Sequence, residues 1–149
     1  MNILNDPENF KLSYHEAGHA VAAVLLGHKF KDVVLGNGNG HLGITNGAIL
    51  NKPQEYKKNV KELVQIFSAG QAADEILQEK ALPFRSQPDL DVITEAMRSN
   101  QLNAKDIEKI YGETKAMLKE NWQAVHTVAQ GLRDHNILTF DQVKRVLGS

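Results

Sequence analysis

The sequence predicts a mainly α (α+β) domain, in which helices form most of the chain and a small β element follows the first helix. Apolar residues recur at helical spacing over most of the 149 residues. Two of the predicted helices open with capping-box signatures. Short apolar runs on either side of a glycine–asparagine stretch predict the β element. A chain of this length is expected to form one domain, residues 1–149.

The first helix is expected to run from Phe10 to Leu26, because its apolar residues show no strand-like alternation and many are alanines. Gly27 is expected to end this largely buried helix. Residues 31–35 and 41–45 are short apolar runs that flank the turn-forming residues 36–40. They predict a β-hairpin or a two-strand edge sheet.

A second helix is expected from Pro53 to about Lys80, since proline is tolerated in a first turn. Pro83 and Pro88 are expected to bracket a loop, and a third helix is expected to follow Asp89. The residues at helical spacing in these two helices are Val60, Leu63, Val64, Phe67, Gln71 and Ile76, then Val92, Ile93, Ala96 and Met97.

Two capping boxes mark the helices of the C-terminal part. Asn103 with Asp106 predicts the start of a long fourth helix, whose apolar positions continue to Leu132. Thr139 with Gln142 predicts the start of a short last helix. The chain is therefore expected to end in a long helix and a short one.

The composition argues against several classes of function. The formal charge is -1, from 17 basic and 18 acidic residues, which gives no support for binding to nucleic acid or to an anionic membrane surface. The chain has no cysteine, which excludes disulfides, cysteine-ligated zinc, iron–sulfur clusters and thiol nucleophiles. The first residues lack the features of a signal peptide, and the most apolar stretch, 17–26, is too short to span a membrane. We therefore expect a soluble, cytoplasmic protein without direct membrane insertion.

The first helix carries a motif with metal-site spacing. His15 and His19 flank Glu16 in the pattern H-E-x-x-H, and residues four apart lie on the same face of a helix. Both imidazoles can therefore reach one ion, and Zn²⁺ commonly takes three protein ligands and a water. Glu16 is placed to take a proton from that water as it attacks a carbonyl and to pass it to the leaving amine.

The alternative is that the motif is an accident of sequence. Short patterns of this kind occur by chance, but two histidines and a glutamate in an apolar helix are costly without a partner. Gly18, in the middle of the helix, costs roughly 1 kcal/mol relative to alanine, which indicates close packing at this point. These observations favour a metal site.

A third metal ligand is required, and the residues that follow His19 exclude the ligand set of the metzincins. The metzincin pattern needs a glycine and a further histidine where this chain has Ala22 and Leu25. The remaining candidates are the carboxylates Asp74, Glu75, Asp89 and Asp91. His28, His41, His126 and His135 have no paired spacing and are expected to be loop or surface residues, although His41 could line a cleft.

Several segments, in order along residues 10–149, resemble the protease domain of the FtsH-type ATP-dependent zinc metalloproteases. Ser13–Val21 resembles the zinc-site helix, and His41–Thr45 resembles the short strand that follows it. Ala69–Leu77 is similar to the glycine-x-alanine-alanine-glutamate helix, and Asp89–Thr94 to the aspartate-leucine segment. The last part, from Ile107 onward, resembles the closing long helix and short cap helix.

The resemblance implies a helical zincin-like fold and roles for four residues. His15 and His19 would be zinc ligands, Glu16 the catalytic base and Asp89 the third ligand. From the residues alone, Asp89 is equally well interpreted as an ordinary N-cap.

Asp74 and Glu75 match acidic residues of the family that look like partners of a ligating histidine. A solvated helix face is the alternative for both residues, and the sequence does not distinguish between the two.

The chain also departs from the family pattern. It contains no phosphate-binding G-x-x-x-x-G-K-S/T motif, so we expect a stand-alone protease domain without the ATPase module or the membrane anchor. Residues 84–88 replace a threonine-glycine-alanine-serine-asparagine run, Ile93 replaces a small alanine, and the segment before the fourth helix is reduced to about 99–104. The expected function is zinc-dependent hydrolysis of peptides or unfolded protein segments. A separate ATPase or further copies of the chain are the partners to consider.

Two other functions stay open at this point. The chain could be a non-catalytic zinc-binding partner or regulator on the same fold, or a helical interaction domain without a metal. Residues 38–43 match G-x-G-x-x-G, but no helix start follows them, so we expect a turn rather than a nucleotide site.

Overall fold

The computed structural model describes residues 7–36, 41–43, 53–84 and 86–148. The helices in these ranges are α1 (Pro7–Leu25), α2 (Pro53–Gln78), α3 (Gln87–Asn100), α4 (Ala104–Glu120), α5 (Trp122–His135) and α6 (Phe140–Val146). The strands are β1 (Asp32–Val34), β2 (His41–Gly43) and β3 (Ile137–Thr139). The predicted class, mainly helical with a small β element, is confirmed.

Helix α1 lies at the centre of the fold. It packs mainly against α2 and α5, and its residues from Leu12 to Ala23 are buried. The helix ends in a Schellman motif: Gly27 has a positive φ of 77°, its N–H donates to the Val24 carbonyl, and the His28 N–H donates to the Ala23 carbonyl. The predicted buried helix and its glycine stop are confirmed.

Gly18 is the point of closest approach between α1 and α2. A Cβ atom at this position would lie 2.7 Å from the Ala69 carbonyl oxygen and 2.8 Å from the Ala73 Cβ. Only a glycine leaves room for this approach. Gly18 therefore allows α1 and α2 to pack closely at this point. The close packing inferred from Gly18 is confirmed.

The β element is a three-stranded antiparallel sheet with the order β2-β1-β3. In β1, Val33 pairs with Leu42 of β2 on one side and with Leu138 of β3 on the other. The predicted strand pair β1–β2 is present, whereas β3 was not predicted. The hairpin turn, residues 37–40, and residues 44–45 lie outside the described part of the chain.

The long fourth helix is wrong as predicted, because the structure divides it into α4 and α5 at Asn121. The Asn121 side chain donates to the Met117 carbonyl at 2.9 Å, and its backbone has φ −114° and ψ 24°. An asparagine side chain that bonds to the backbone competes with helical hydrogen bonds, which accounts for the interruption. The capping boxes at Asn103 and Thr139 are present as predicted.

Helix α3 begins at Gln87, before the predicted start that follows Asp89. Ser86 is its N-cap and accepts a hydrogen bond from the Asp89 N–H, while Pro88 lies in the first turn. Pro88 therefore belongs to the helix and not to the preceding loop. Among the residues that the structure describes, no helix is both long enough and apolar enough to cross a bilayer.

Candidate metal centre

His15 and His19 lie side by side on the face of α1 that packs against α2. Both are buried, with 3% and 4% of their surface exposed, and their rings meet edge to face with centroids 4.8 Å apart. Their Nε2 atoms are 3.2 Å apart. The four-residue spacing on one helix therefore brings the same atom of each ring to one point.

The other nitrogen of each ring is engaged by α2. His19 Nδ1 lies 2.7 Å from the Ile66 carbonyl oxygen, and His15 Nδ1 lies 2.8 Å from Asp74 Oδ2. A carbonyl oxygen only accepts, so the Nδ1 of His19 carries the proton. The carboxylate of Asp74 places the proton of His15 on Nδ1 in the same way. In the neutral rings, both Nε2 lone pairs then face the same space.

Asp89 brings a carboxylate to this space from α3. Its Oδ2 lies 3.0 Å from Nε2 of His19 and 3.4 Å from Nε2 of His15. Asp89 occupies the third position of the helix, and Ser86 is the N-cap. The N-cap interpretation of Asp89 is therefore wrong. The residue lies in the first turn, with its side chain directed at the histidines.

The three converging atoms would repel one another without a positive charge between them. Burial opposes protonation of His15, but the carboxylates of Asp74 and Asp89 outweigh it and raise the pKa of His15 to about 9. Burial likewise opposes the charged form of His19, and Asp89 raises its pKa above the usual range. Although burial alone would raise the pKa of Asp89, the two histidines hold it well below its ordinary value. The cluster therefore favours a cation, and His15, His19 and Asp89 could hold a metal ion.

A glycine on α2 leaves room for such an ion. A Cβ atom added to Gly70 would lie 2.5 Å from Nε2 of both His15 and His19. Helix α2 thus contributes three residues spaced by four, which are Ile66, Gly70 and Asp74. The first and last orient the imidazoles, and the middle one leaves space beside their free nitrogens.

Glu16 is buried beside the cluster but is not one of its converging donors. It has 4% of its surface exposed, and its negative charge contributes to the raised pKa values of His15 and His19. A carboxylate in this place can exchange a proton with a molecule bound at the cluster without competing for the ion.

The structure separates the roles of Asp74 and Glu75, which the sequence does not distinguish. Both are buried, which excludes a solvated helix face for either. Asp74 contacts His15, whereas Glu75 faces away from the histidines and accepts a hydrogen bond from the Leu82 N–H at 2.7 Å. Asp91 is exposed and accepts a hydrogen bond from the Gln87 side chain.

The other described histidines do not join the cluster. His28 contacts Glu62, His126 contacts the Tyr14 hydroxyl, and His135 is exposed at the end of α5. His41 lies in β2, and its side chain is outside the described part of the structure, so its suggested place in a cleft stays a prediction. The G-x-G-x-x-G stretch also lies largely outside the described residues.

Sequence reasoning missed Gly70 and the Ile66 carbonyl as parts of the site. Gly70 carries the same signal as Gly18, a glycine inside a helix among alanines, and that signal could have identified it. A backbone carbonyl has no residue-type signal, so the Ile66 contact could be found only from the structure.

Comparison with models of known protein families found no match, and a search of curated proteins found no significant match. The resemblance to FtsH-type proteases therefore stays a prediction.

Proposed function

We propose that this protein is a zinc-dependent metallopeptidase with His15, His19 and Asp89 as its metal ligands. The triangle formed by their donor atoms carries the proposal, since its edges are 3.0, 3.2 and 3.4 Å. Around a tetrahedral Zn²⁺ with bonds of ~2.0–2.1 Å, ligand atoms stand about 3.3–3.4 Å apart. The observed triangle has nearly the size of one face of such a tetrahedron.

The kind of donor also supports zinc. Two imidazole nitrogens and one carboxylate oxygen form a set that Zn²⁺ uses in catalytic sites, where a fourth position stays open. A Zn²⁺ bound here would supply Lewis acidity, polarising a substrate carbonyl and lowering the pKa of a water. Asp74 and the Ile66 carbonyl would hold the two imidazoles in the tautomer that leaves Nε2 free for the ion.

Glu16 is the residue that we assign to proton transfer. Its carboxylate takes one proton from the attacking water while the water oxygen forms a bond to the peptide carbonyl carbon. As the carbon–nitrogen bond breaks, Glu16 gives that proton to the leaving amine. The products are a carboxylic acid and an amine, and Glu16 returns to its ionised state.

The burial of the ligands suggests the class of substrate. His15 and His19 are almost fully buried, and Asp89 has 14% of its side chain exposed. A peptide bond held inside a folded domain cannot approach such a site, whereas a flexible segment can. We therefore propose peptides and unfolded protein segments as substrates. A separate ATPase or self-assembly would be the means of delivering longer chains.

The deciding experiment compares the wild-type chain with Glu16→Gln for zinc content and for cleavage of an unfolded protein. We expect both to retain one equivalent of zinc and the variant to lose most of its activity. Glu8→Gln is the matched control, since Glu8 lies exposed on the same helix, and it should cleave as the wild type does.

Each alternative function has its own outcome. Zinc without turnover in the wild type would favour the non-catalytic partner or regulator. No zinc after reconstitution would leave a helical interaction domain. Equal turnover by the wild type and Glu16→Gln would contradict the assignment of Glu16.

A further inference from the structure

Helix α2 carries two adjacent stripes of polar contacts. Ile66, Gly70 and Asp74 face the histidines of α1. Gln71 and Glu75, each one residue further along, contact the connecting segment, which is the described stretch 79–84 between α2 and α3. Successive helical residues are rotated by about 100°, so one rigid helix faces the histidines with one stripe and this connecting segment with the next.

The second stripe holds Leu82 through both of its backbone polar groups. The Leu82 N–H donates to Glu75 Oε2 at 2.7 Å, and the Leu82 carbonyl accepts from Gln71 Nε2 at 2.9 Å. Gln71 Nε2 also donates to the Pro83 carbonyl at 3.2 Å. Two side chains one turn apart therefore hold two successive residues of the connecting segment.

Glu75 is itself fixed from α4. The Tyr111 hydroxyl donates to Glu75 Oε1, and Lys115 Nζ lies 3.4 Å from the same oxygen. Burial alone would raise the pKa of Glu75, but the hydrogen bonds from Tyr111 and Leu82 and the charge of Lys115 hold it below its usual range. The carboxylate is therefore ionised near neutral pH and oriented to accept from Leu82.

We propose that Gln71 and Glu75 are positioning residues that hold the connecting segment so that Asp89 meets His15 and His19 at metal-ligand distance. Only a few residues separate Leu82 from the first turn of α3, and Ser86 and Pro88 fix the direction in which that helix starts. A displacement of Leu82 therefore moves Asp89, while the histidines stay anchored to the other stripe of α2. This inference rests on the proposed metal site and extends it to residues that touch no ligand.

The test is a double-mutant cycle on zinc affinity, measured by competition with a chromogenic chelator on the full chain. Glu75→Ala should weaken Zn²⁺ binding by about 10–100-fold, the usual cost of losing a residue that orients a ligand. In an Asp89→Asn background the same change should have an effect of less than about twofold, because its only route to the ion is already removed. A general loss of structure would weaken binding in both backgrounds.

A matched control removes a second ion pair between α2 and α4, the helices that the pair Glu75–Lys115 also joins. Glu113 of α4 pairs with Lys61 of α2 at 2.8 Å. Glu113→Ala should leave zinc affinity within about twofold of the wild type, as expected for independent sites. If Glu75→Ala does not fold, Gln71→Leu takes its place in the cycle, since it removes the donors to Leu82 and Pro83 at similar volume.

The outcomes separate the two proposals. A wild type that binds no zinc overturns the proposed function. A wild type that binds zinc while Glu75→Ala binds equally well overturns only the positioning role. Equal losses in the two backgrounds also overturn it, because the effect would then not pass through Asp89.

Discussion

A Cβ atom added to Gly70 would lie 2.5 Å from Nε2 of His15, well inside van der Waals contact. The same atom would lie 2.5 Å from Nε2 of His19. Neither ring can turn aside freely, because Asp74 and the Ile66 carbonyl hold their Nδ1 atoms. The absence of a side chain at Gly70 is therefore a condition for the two nitrogens to converge.

Gly70→Ala should disrupt metal binding. To admit the methyl group, the rings must move and weaken the hydrogen bonds that orient them, so we expect zinc affinity to fall by about 10-fold or more. Overpacking should also destabilise the fold by about 1–3 kcal/mol. Isothermal titration with Zn²⁺ and chemical denaturation of the metal-free protein measure the two effects.

Gly112→Ala is the control for this substitution. Gly112 lies in α4, and a Cβ atom there would meet nothing within 4 Å. Removing a helical glycine at an open position should stabilise the protein by about 0.5–1 kcal/mol and leave zinc affinity unchanged. Unchanged zinc binding by Gly70→Ala would show that the ion does not occupy the space beside this glycine.

The parts of the fold and site that could be predicted from sequence depend on local patterns. The spacing of His15 and His19 on α1 is a property of one helix, and the caps at Asn103 and Thr139 involve residues three apart. Such features are encoded within a few residues of each other. Asp89 is far from the histidines in sequence, and only its resemblance to a family motif favoured it over an N-cap.

The parts that could not be predicted depend on distant contacts. Strand β3 has three residues and exists because it pairs with β1, which lies far away in the sequence. The interruption at Asn121 is the exception, because it arises from a local side-chain hydrogen bond to Met117 in a residue type that is tolerated in many helices. Gln71 resembles any polar helix residue, and nothing in the sequence places Leu82 against Gln71 or Glu75.

Asp74 should contribute to metal binding through His15. Asp74→Ala removes the acceptor of the His15 Nδ1 proton, so the ring loses its orientation and zinc affinity should fall by about 10–100-fold. Asp74→Asn keeps an acceptor at the same distance and removes only the charge, so its loss should be smaller. Competition titrations of both variants measure this difference.

The comparison of the two Asp74 variants distinguishes orientation from charge. Equal losses in the alanine and asparagine variants would assign the effect to charge alone. Affinity within twofold of the wild type for Asp74→Ala would mean that the contact with His15 is unimportant for the ion.

The pKa values of the cluster predict how pH affects the metal-free protein. Since the pKa of His15 rises from 6.5 to about 9 on folding, its protonation stabilises the fold fully below pH 6.5 and no longer does so once pH has risen through 9. His19 shifts in the same direction. The pKa of Asp89 is lowered from 3.8, so its contribution is present above that pH and is lost in acid. The three groups together therefore stabilise the metal-free fold most between about pH 4 and pH 6.5.

Zn²⁺ should stabilise the protein more strongly as pH rises, because the ion competes with the protons on His15 and His19. The rise in melting temperature that Zn²⁺ produces, measured against a chelator, should therefore grow as pH increases from about 6.5 to 9. Thermal unfolding followed by circular dichroism measures the melting temperature with Zn²⁺ and with the chelator at each pH. His135→Gln, a change at an exposed histidine outside the cluster, should reproduce the wild-type profile. A zinc-induced shift that is constant over this range would contradict a site in which the ion replaces protons on the two imidazoles.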